Sequence, residues 1–127
     1  MDLSGQKILV IGGAGFIGSH VVDALLATSV REVVIFDNFT RGSRDNLKGA
    51  LLDPRCKIYP NGGDIRDLDL LDDAMRGTDC VIHLAAMWLL HCLDFPRTAF
   101  DVNIGGTFNV LEACVRHKVR RLVYSSS

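Results

Sequence analysis

Three glycines, Gly12, Gly15 and Gly18, stand between a short β-rich run and an amphipathic one, and this placement constrains the fold more than any other feature. Before them, Lys7–Ile11 (KILVI) is too short for a helix and is stopped by Gly12-Gly13. After them, residues 16–27 carry Ile17, Val21 and Leu25, with Val22 and Leu26 alongside, at helical spacing. A G-x-x-G-x-x-G spacing suits a strand that turns abruptly into a helix. Gly12 permits the tight turn, Gly15 lets the backbone approach a pyrophosphate, and Gly18 lets the helix pack closely on the sheet. The helix start then offers unpaired N–H groups and a positive dipole end to an anion.

The rest of the chain repeats the alternation of strand and helix. Glu32–Phe36 (EVVIF) is a second strand, followed by a loop over 38–44 and a short helix over 46–52 that stops at Asp53-Pro54. Residues 56–59 form a third strand, 68–75 a helix, and 79–84 a fourth strand. Pro96 opens a long helix running to about His117, and Arg121–Tyr124 is the fifth strand. Strands separated by helical segments give right-handed βαβ crossovers. Their near-continuous apolar character is that of strands covered on both faces. The expected fold is α/β: a Rossmann-type, doubly wound parallel sheet of five strands in the order 3-2-1-4-5, with helices on both faces, forming one domain over residues 1–127.

Asp37 closes the second strand, about 20 residues beyond the last glycine of the turn, where a carboxylate can accept hydrogen bonds from an adenosine ribose. The same charge would repel a 2′-phosphate, which favours NAD over NADP. Arg41 and Arg44, in the following loop, leave three alternatives: to hold a phosphate, to pair with the pyrophosphate, or to stay solvated.

Composition narrows the function. The chain has 127 residues, 48% hydrophobic and 23% charged, a mix that excludes global disorder and leaves no room for a second domain of ordinary size. A net charge of −1 argues against a nucleic-acid binder or a membrane-surface protein. No apolar run reaches the ~18 residues of a membrane span. Cys56, Cys80, Cys92 and Cys114 make no C-x-x-C pair, and the start of the chain has no basic and apolar leader, so a reduced, cytoplasmic setting is expected. His83, His91 and Cys92 lack the further ligand that would complete a metal site, so none is expected. The basic group Arg116, His117, Lys118, Arg120 and Arg121 reads as a helix C-terminal cap. No G-x-S-x-G elbow surrounds Ser125-Ser126-Ser127, which argues against a hydrolase.

Several ordered motifs carry a resemblance across the whole chain: GGAGFIGSH at 12–20, FDN at 36–38, GDIRD at 63–67, HLAA at 83–86, DVNIGGTFNVLEAC at 101–114 and VYSSS at 123–127. With them the chain resembles the extended short-chain dehydrogenase/reductase family, in particular its NAD-dependent nucleotide-sugar epimerases and dehydratases. The resemblance implies NAD held by Gly12, Gly15, Phe16, Ile17, Gly18, Asp37 and Asn38. It also implies Asp64 and Ile65 flanking the adenine, and Leu84, Ala85 and Ala86 lining the inner phosphate and ribose. Asn103, Ser125 and Ser126 would adjoin the nicotinamide, and Ser127 would hydrogen-bond the sugar hydroxyl being oxidised.

Family members continue into a Tyr-x-x-x-Lys helix that supplies the general base, and into a substrate lobe. Neither Tyr59 nor Tyr124 is followed by that lysine, so the chain is expected to be truncated before both parts and inactive alone. The implied parent is a UDP-sugar 4-epimerase acting as a homodimer. Its rivals are a dehydratase or decarboxylase of the same family, and a dinucleotide-binding module without turnover. Two local features stay open. Gly105-Gly106 reads as a close helix approach or as a kink. The apolar 87–93 stretch either reaches the sugar and nicotinamide or packs into the core as a helical turn.

Overall fold

The computed structural model describes residues 2–126. Five parallel strands, β1 (Lys7–Ile11), β2 (Glu32–Phe36), β3 (Cys56–Ile58), β4 (Cys80–His83) and β5 (Arg121–Tyr124), pair in the order β3-β2-β1-β4-β5. This is the order read from the sequence. Because consecutive side chains in a strand face opposite ways, the inner strands β1, β2 and β4 feed two cores. Leu9, Ile11, Val34 and Phe36 face Leu71, Met75, Val110 and Ala113 on one side. Ile8, Val10, Val33 and Ile35 face Val22, Leu25, Leu47 and Ala50 on the other. Full burial of an aliphatic side chain stabilises by roughly 1.5–3 kcal/mol. The sheet centre is therefore the rigid platform on which everything at its carboxyl edge stands.

The helices are α1 (Phe16–Leu26), α2 (Leu68–Ala74), α3 (Leu89–Asp94), α4 (Pro96–Ala99) and α5 (Thr107–Arg116). Asp67 caps α2, its carboxylate accepting from the Leu70 N–H at 3.1 Å. Two expectations change and one open alternative closes. The helix expected over 46–52 is two 3₁₀ turns, Arg44–Leu47 and Ala50–Leu52, which drop Leu47 and Ala50 into the core without a full α-turn. The long helix after Pro96 is helical throughout, but residues Phe100–Gly106 between α4 and α5 wind as a π-helix. The apolar 87–93 stretch does not pack into the core: α3 buries none of its residues, and Leu89 and Leu93 are each more than 70% exposed.

Gly105-Gly106 separates into two cases. A Cβ on Gly106 would sit 2.5 Å from Ile65 Cγ1, so this glycine is where the helix meets the neighbouring layer. A Cβ on Gly105 would meet only the Phe100 carbonyl, at 4.0 Å. Among the described residues no helix is long and apolar enough to cross a membrane.

Candidate dinucleotide site

The strand order changes direction between β1 and β4, and open α/β sheets bind ligands in the crevice at that switch point. A cavity of about 650 Å³ lies there, within the usual size range of small-molecule sites. Its floor is the glycine turn. Gly12 adopts φ +82°, donates its N–H to the Phe36 carbonyl at 2.8 Å, and faces the segment leaving β4 so tightly that a Cβ would lie 2.7 Å from Ala85 N. Gly18 abuts the Gly12 carbonyl and lies within 2.8 Å of Gly13 Cα by the same measure, so α1 seats directly on the turn. At Gly15 only the Gly12 carbonyl comes within 4 Å of a Cβ position, leaving its backbone open to the cavity. Gly15 is also the N-cap of α1 and offers no capping side chain, so the first-turn N–H groups have no side-chain partner there. The donor set suits a pyrophosphate.

Asp37 is fixed more firmly than its sequence position reveals. Its Oδ2 accepts the Ala14 N–H at 2.9 Å and its Oδ1 the Phe39 N–H at 2.8 Å, which ties the end of β2 to the glycine turn. Gly63 lies directly against the Asp37 backbone, and Gly42 against Asp37 Oδ1 and Ala14. A carboxylate oxygen accepts more than one hydrogen bond, so both retain capacity for ribose hydroxyls.

Phe16, Ile17 and Asn38 line the cavity, and Phe16 is 79% exposed with its ring tilted against His20. Leu84, Ala85 and Ala86 line the wall where the chain leaves β4, the Leu84 N–H donating to the Ile11 carbonyl. Asp64 and Ile65 also reach the cavity. The Asp64 carboxylate is already engaged: Arg66 donates through Nε at 3.0 Å and Nη2 at 2.6 Å, and that guanidinium holds its pKa below the usual carboxylate value. Ile65 is buried beneath Gly106.

Asn103 does not line the cavity. Its Oδ1 accepts from the Met87 N–H at 2.7 Å and its Nδ2 donates to the Met87 carbonyl at 3.0 Å, so it clamps the peptide that follows the HLAA motif. Ser125 lines the cavity, its N–H donating to the His83 carbonyl at 3.2 Å. Ser126 is exposed and outside the lining, and Ser127 lies outside the described residues.

Two contacts on the wall are not legible in the sequence: the mooring made by Asn46, a residue the sequence does not single out, and the pairing of Arg41 with Trp88, whose places near the cofactor it leaves open. Asn46 donates through Nδ2 to the Ala14 carbonyl at 2.9 Å, mooring the loop after β2 to the glycine turn. Arg41 reaches across to Trp88, its guanidinium carbon 4.7 Å from the indole centroid. Both contacts join segments far apart in sequence, so no local pattern announces them. Below the cavity, His83 is fully buried, with Nε2 against Thr107 Oγ1 at 3.1 Å and its ring stacked on Tyr124.

The model of the 3-beta hydroxysteroid dehydrogenase/isomerase family matches residues 9–127. Among curated proteins, a putative UDP-glucose 4-epimerase of Methanocaldococcus jannaschii is 37% identical over 122 residues, covering 94% of this chain and 37% of its own length. UDP-glucuronic acid decarboxylase 5 of Arabidopsis thaliana is 35% identical, covering 98% of this chain and 35% of its own. Among solved structures, the dTDP-glucose 4,6-dehydratase DesIV of Streptomyces venezuelae with NAD bound superposes with a TM-score of 0.85 at 37% identity, over 92% of this chain and 38% of that one. The chain thus spans a little over a third of the length of each of these three proteins.

Proposed function

The chain belongs to the 3-beta hydroxysteroid dehydrogenase/isomerase family, within the extended short-chain dehydrogenases/reductases, and from that premise we propose that it is the NAD-holding part of a nucleotide-sugar epimerase. The observation that carries the reading is the glycine turn joined to Asp37 at the β1/β4 switch point. The α1 N-terminus receives the pyrophosphate and Asp37 the adenosine ribose, while its charge disfavours a 2′-phosphate. Leu84, Ala85 and Ala86 form the apolar wall along the inner ribose, and Ser125 marks the nicotinamide end. When bound, NAD supplies the acceptor for a hydride leaving a sugar hydroxyl carbon.

Asn103 serves this site by fixing the Met87 peptide beside the cavity. Ser127 is assigned to orient the sugar hydroxyl. The proton acceptor is not among the described residues in this reading. Tyr59 donates to Asp73 at 2.7 Å, with burial and that carboxylate both raising its pKa, and Tyr124 stacks on His83. Neither described tyrosine is therefore given the proton-acceptor role, and one domain over 1–127 holds the cofactor.

A nucleotide sugar is favoured over the steroid of the family's name by relatives named for UDP-sugar reactions. A UDP-sugar 4-epimerase leads; the decarboxylase and the dehydratase among the similar proteins support a second reading, sugar oxidation followed by loss of carbon dioxide or water. Phe100, Ile104, Phe108, Leu111 and Val115 form an exposed apolar stripe along the α4-to-α5 rod, which we assign to a second copy in a homodimer. The test is to isolate the protein from its source and assay UDP-glucose against UDP-galactose while sedimentation gives the mass of the active species. Interconversion by a species of two chains is expected. Carbon dioxide or water release instead would move the assignment to the second reading, no turnover of any UDP-sugar would defeat both, and an active single chain would remove the dimer.

A further inference from the structure

Two loops meet over the cavity through one contact. Arg41 comes from the segment after β2 and Trp88 from the segment after β4, and the guanidinium lies over the indole. Both residues are exposed and both line the cavity, so the contact bridges its mouth. Among the described residues, the ion pairs leave Arg41 without a carboxylate, whereas the other cation on the wall, Arg66, is bound to Asp64. The loop carrying Arg41 is anchored at the glycine turn: Gly42 abuts Ala14, the Ser43 N–H donates to the Ala14 carbonyl at 3.0 Å, and Asn46 Nδ2 donates to the same oxygen. Arg41 therefore springs from the rim of the turn that offers its N–H groups to an anion.

We propose that Arg41 and Trp88 are a clasp across the cavity mouth, opened when Arg41 transfers its guanidinium from the indole to a phosphate of the entering dinucleotide. The inference rests on the dinucleotide reading above. An exposed cation–π contact is weak, while a planar guanidinium on phosphate makes paired, charge-assisted hydrogen bonds. The exchange thus runs toward the ligand. It also frees the Trp88 face, beside His91, for whatever group occupies the far end of the cavity.

Trp88 is the single tryptophan of the sequence, so emission excited at 295 nm arises from this site, and the Arg41 variants separate the clasp from the neighbouring His91. ADP, which carries the two phosphates without the nicotinamide, is titrated while calorimetry measures binding and 295 nm excitation follows Trp88. In the wild-type chain, emission should change with the same midpoint as the heat. Arg41→Met, an exposed loop change, should bind ADP about tenfold more weakly and show no such emission change. Arg41→Lys should recover part of the affinity but not the indole response, since an ammonium lacks the stacking plane. ADP heat with an unmoved Trp88 signal, or unaltered ADP affinity in Arg41→Met, would overturn the clasp and leave the dinucleotide reading standing. Absence of heat from both ADP and NAD would overturn both together.

Discussion

His83 sits in an environment far from that of a free imidazole. It is fully buried at the end of β4 between Thr107 and Tyr124, and burial pushes its pKa down from 6.5 to about 4. Unfolding restores the ordinary value, so between pH 6.5 and 4 the unfolded chain binds a proton that the folded chain refuses. His83's contribution is therefore complete above pH 6.5 and lost as pH falls toward 4, by roughly 3 kcal/mol across the window. Asp53 and Asp64, whose pKa values their arginine partners lower, keep their contributions above 3.8 and do not enter this window. Urea midpoints between pH 7.5 and 4.5 should fall steeply for wild type and less for His83→Gln, which retains a donor for Thr107; parallel curves would contradict this. The histidine itself was legible as part of a motif. Its burial was not, because Thr107 and Tyr124 reach it from elements folded later in the chain. Asp37 illustrates the same division: its position marked it as a candidate ribose ligand, while its hydrogen bonds to Ala14 and Phe39 depend on tertiary structure that no local pattern encodes.

Among the elements, the rod from α4 through the π segment to α5 carries the sharpest contrast. Two adjacent glycines cost the helix similarly in propensity, about 1 kcal/mol each relative to alanine. Their surroundings differ. Gly105→Ala meets open space and should stabilise the chain by about 0.5–1 kcal/mol. Gly106→Ala drives a methyl into Ile65 and should destabilise it by about 1–3 kcal/mol, with Ile65→Val in the same chain recovering part of the loss. Thermal unfolding of the three variants reads both signs, and equal effects of the two alanines would refute the assignment of the contact to Gly106 alone. The strands and their order, with the bounds of β1, β2 and β5, and the helix after Pro96 could be read from period and punctuation, whereas β3 and β4 are shorter than the expected 56–59 and 79–84. The π winding and the 3₁₀ turns at 44–52 could not, because hydrophobic spacing over so few residues does not separate 3₁₀, α and π geometry.

At the scale of the molecule, strands apolar on both faces dictate a covered parallel sheet, and the order β3-β2-β1-β4-β5 sets its switch point beside the glycine turn. The turn, Asp37 and the Leu84–Ala86 wall therefore converge although they belong to three separate segments. What the sequence pattern did not convey was how the wall closes above them, since Arg41 meets Trp88 only by way of tertiary structure. The central claim is that this edge, and no other surface, receives NAD. At 13.9 kDa the chain suits amide-resolved NMR, and the most direct measurement is a titration of the labelled protein with NAD. Saturable shifts should appear at Gly12, Gly15, Gly18, Asp37, Leu84 and Ala85, with the basic Arg116–Arg121 end unmoved. No saturable shift, or shifts confined to surfaces away from the glycine turn, would contradict the account.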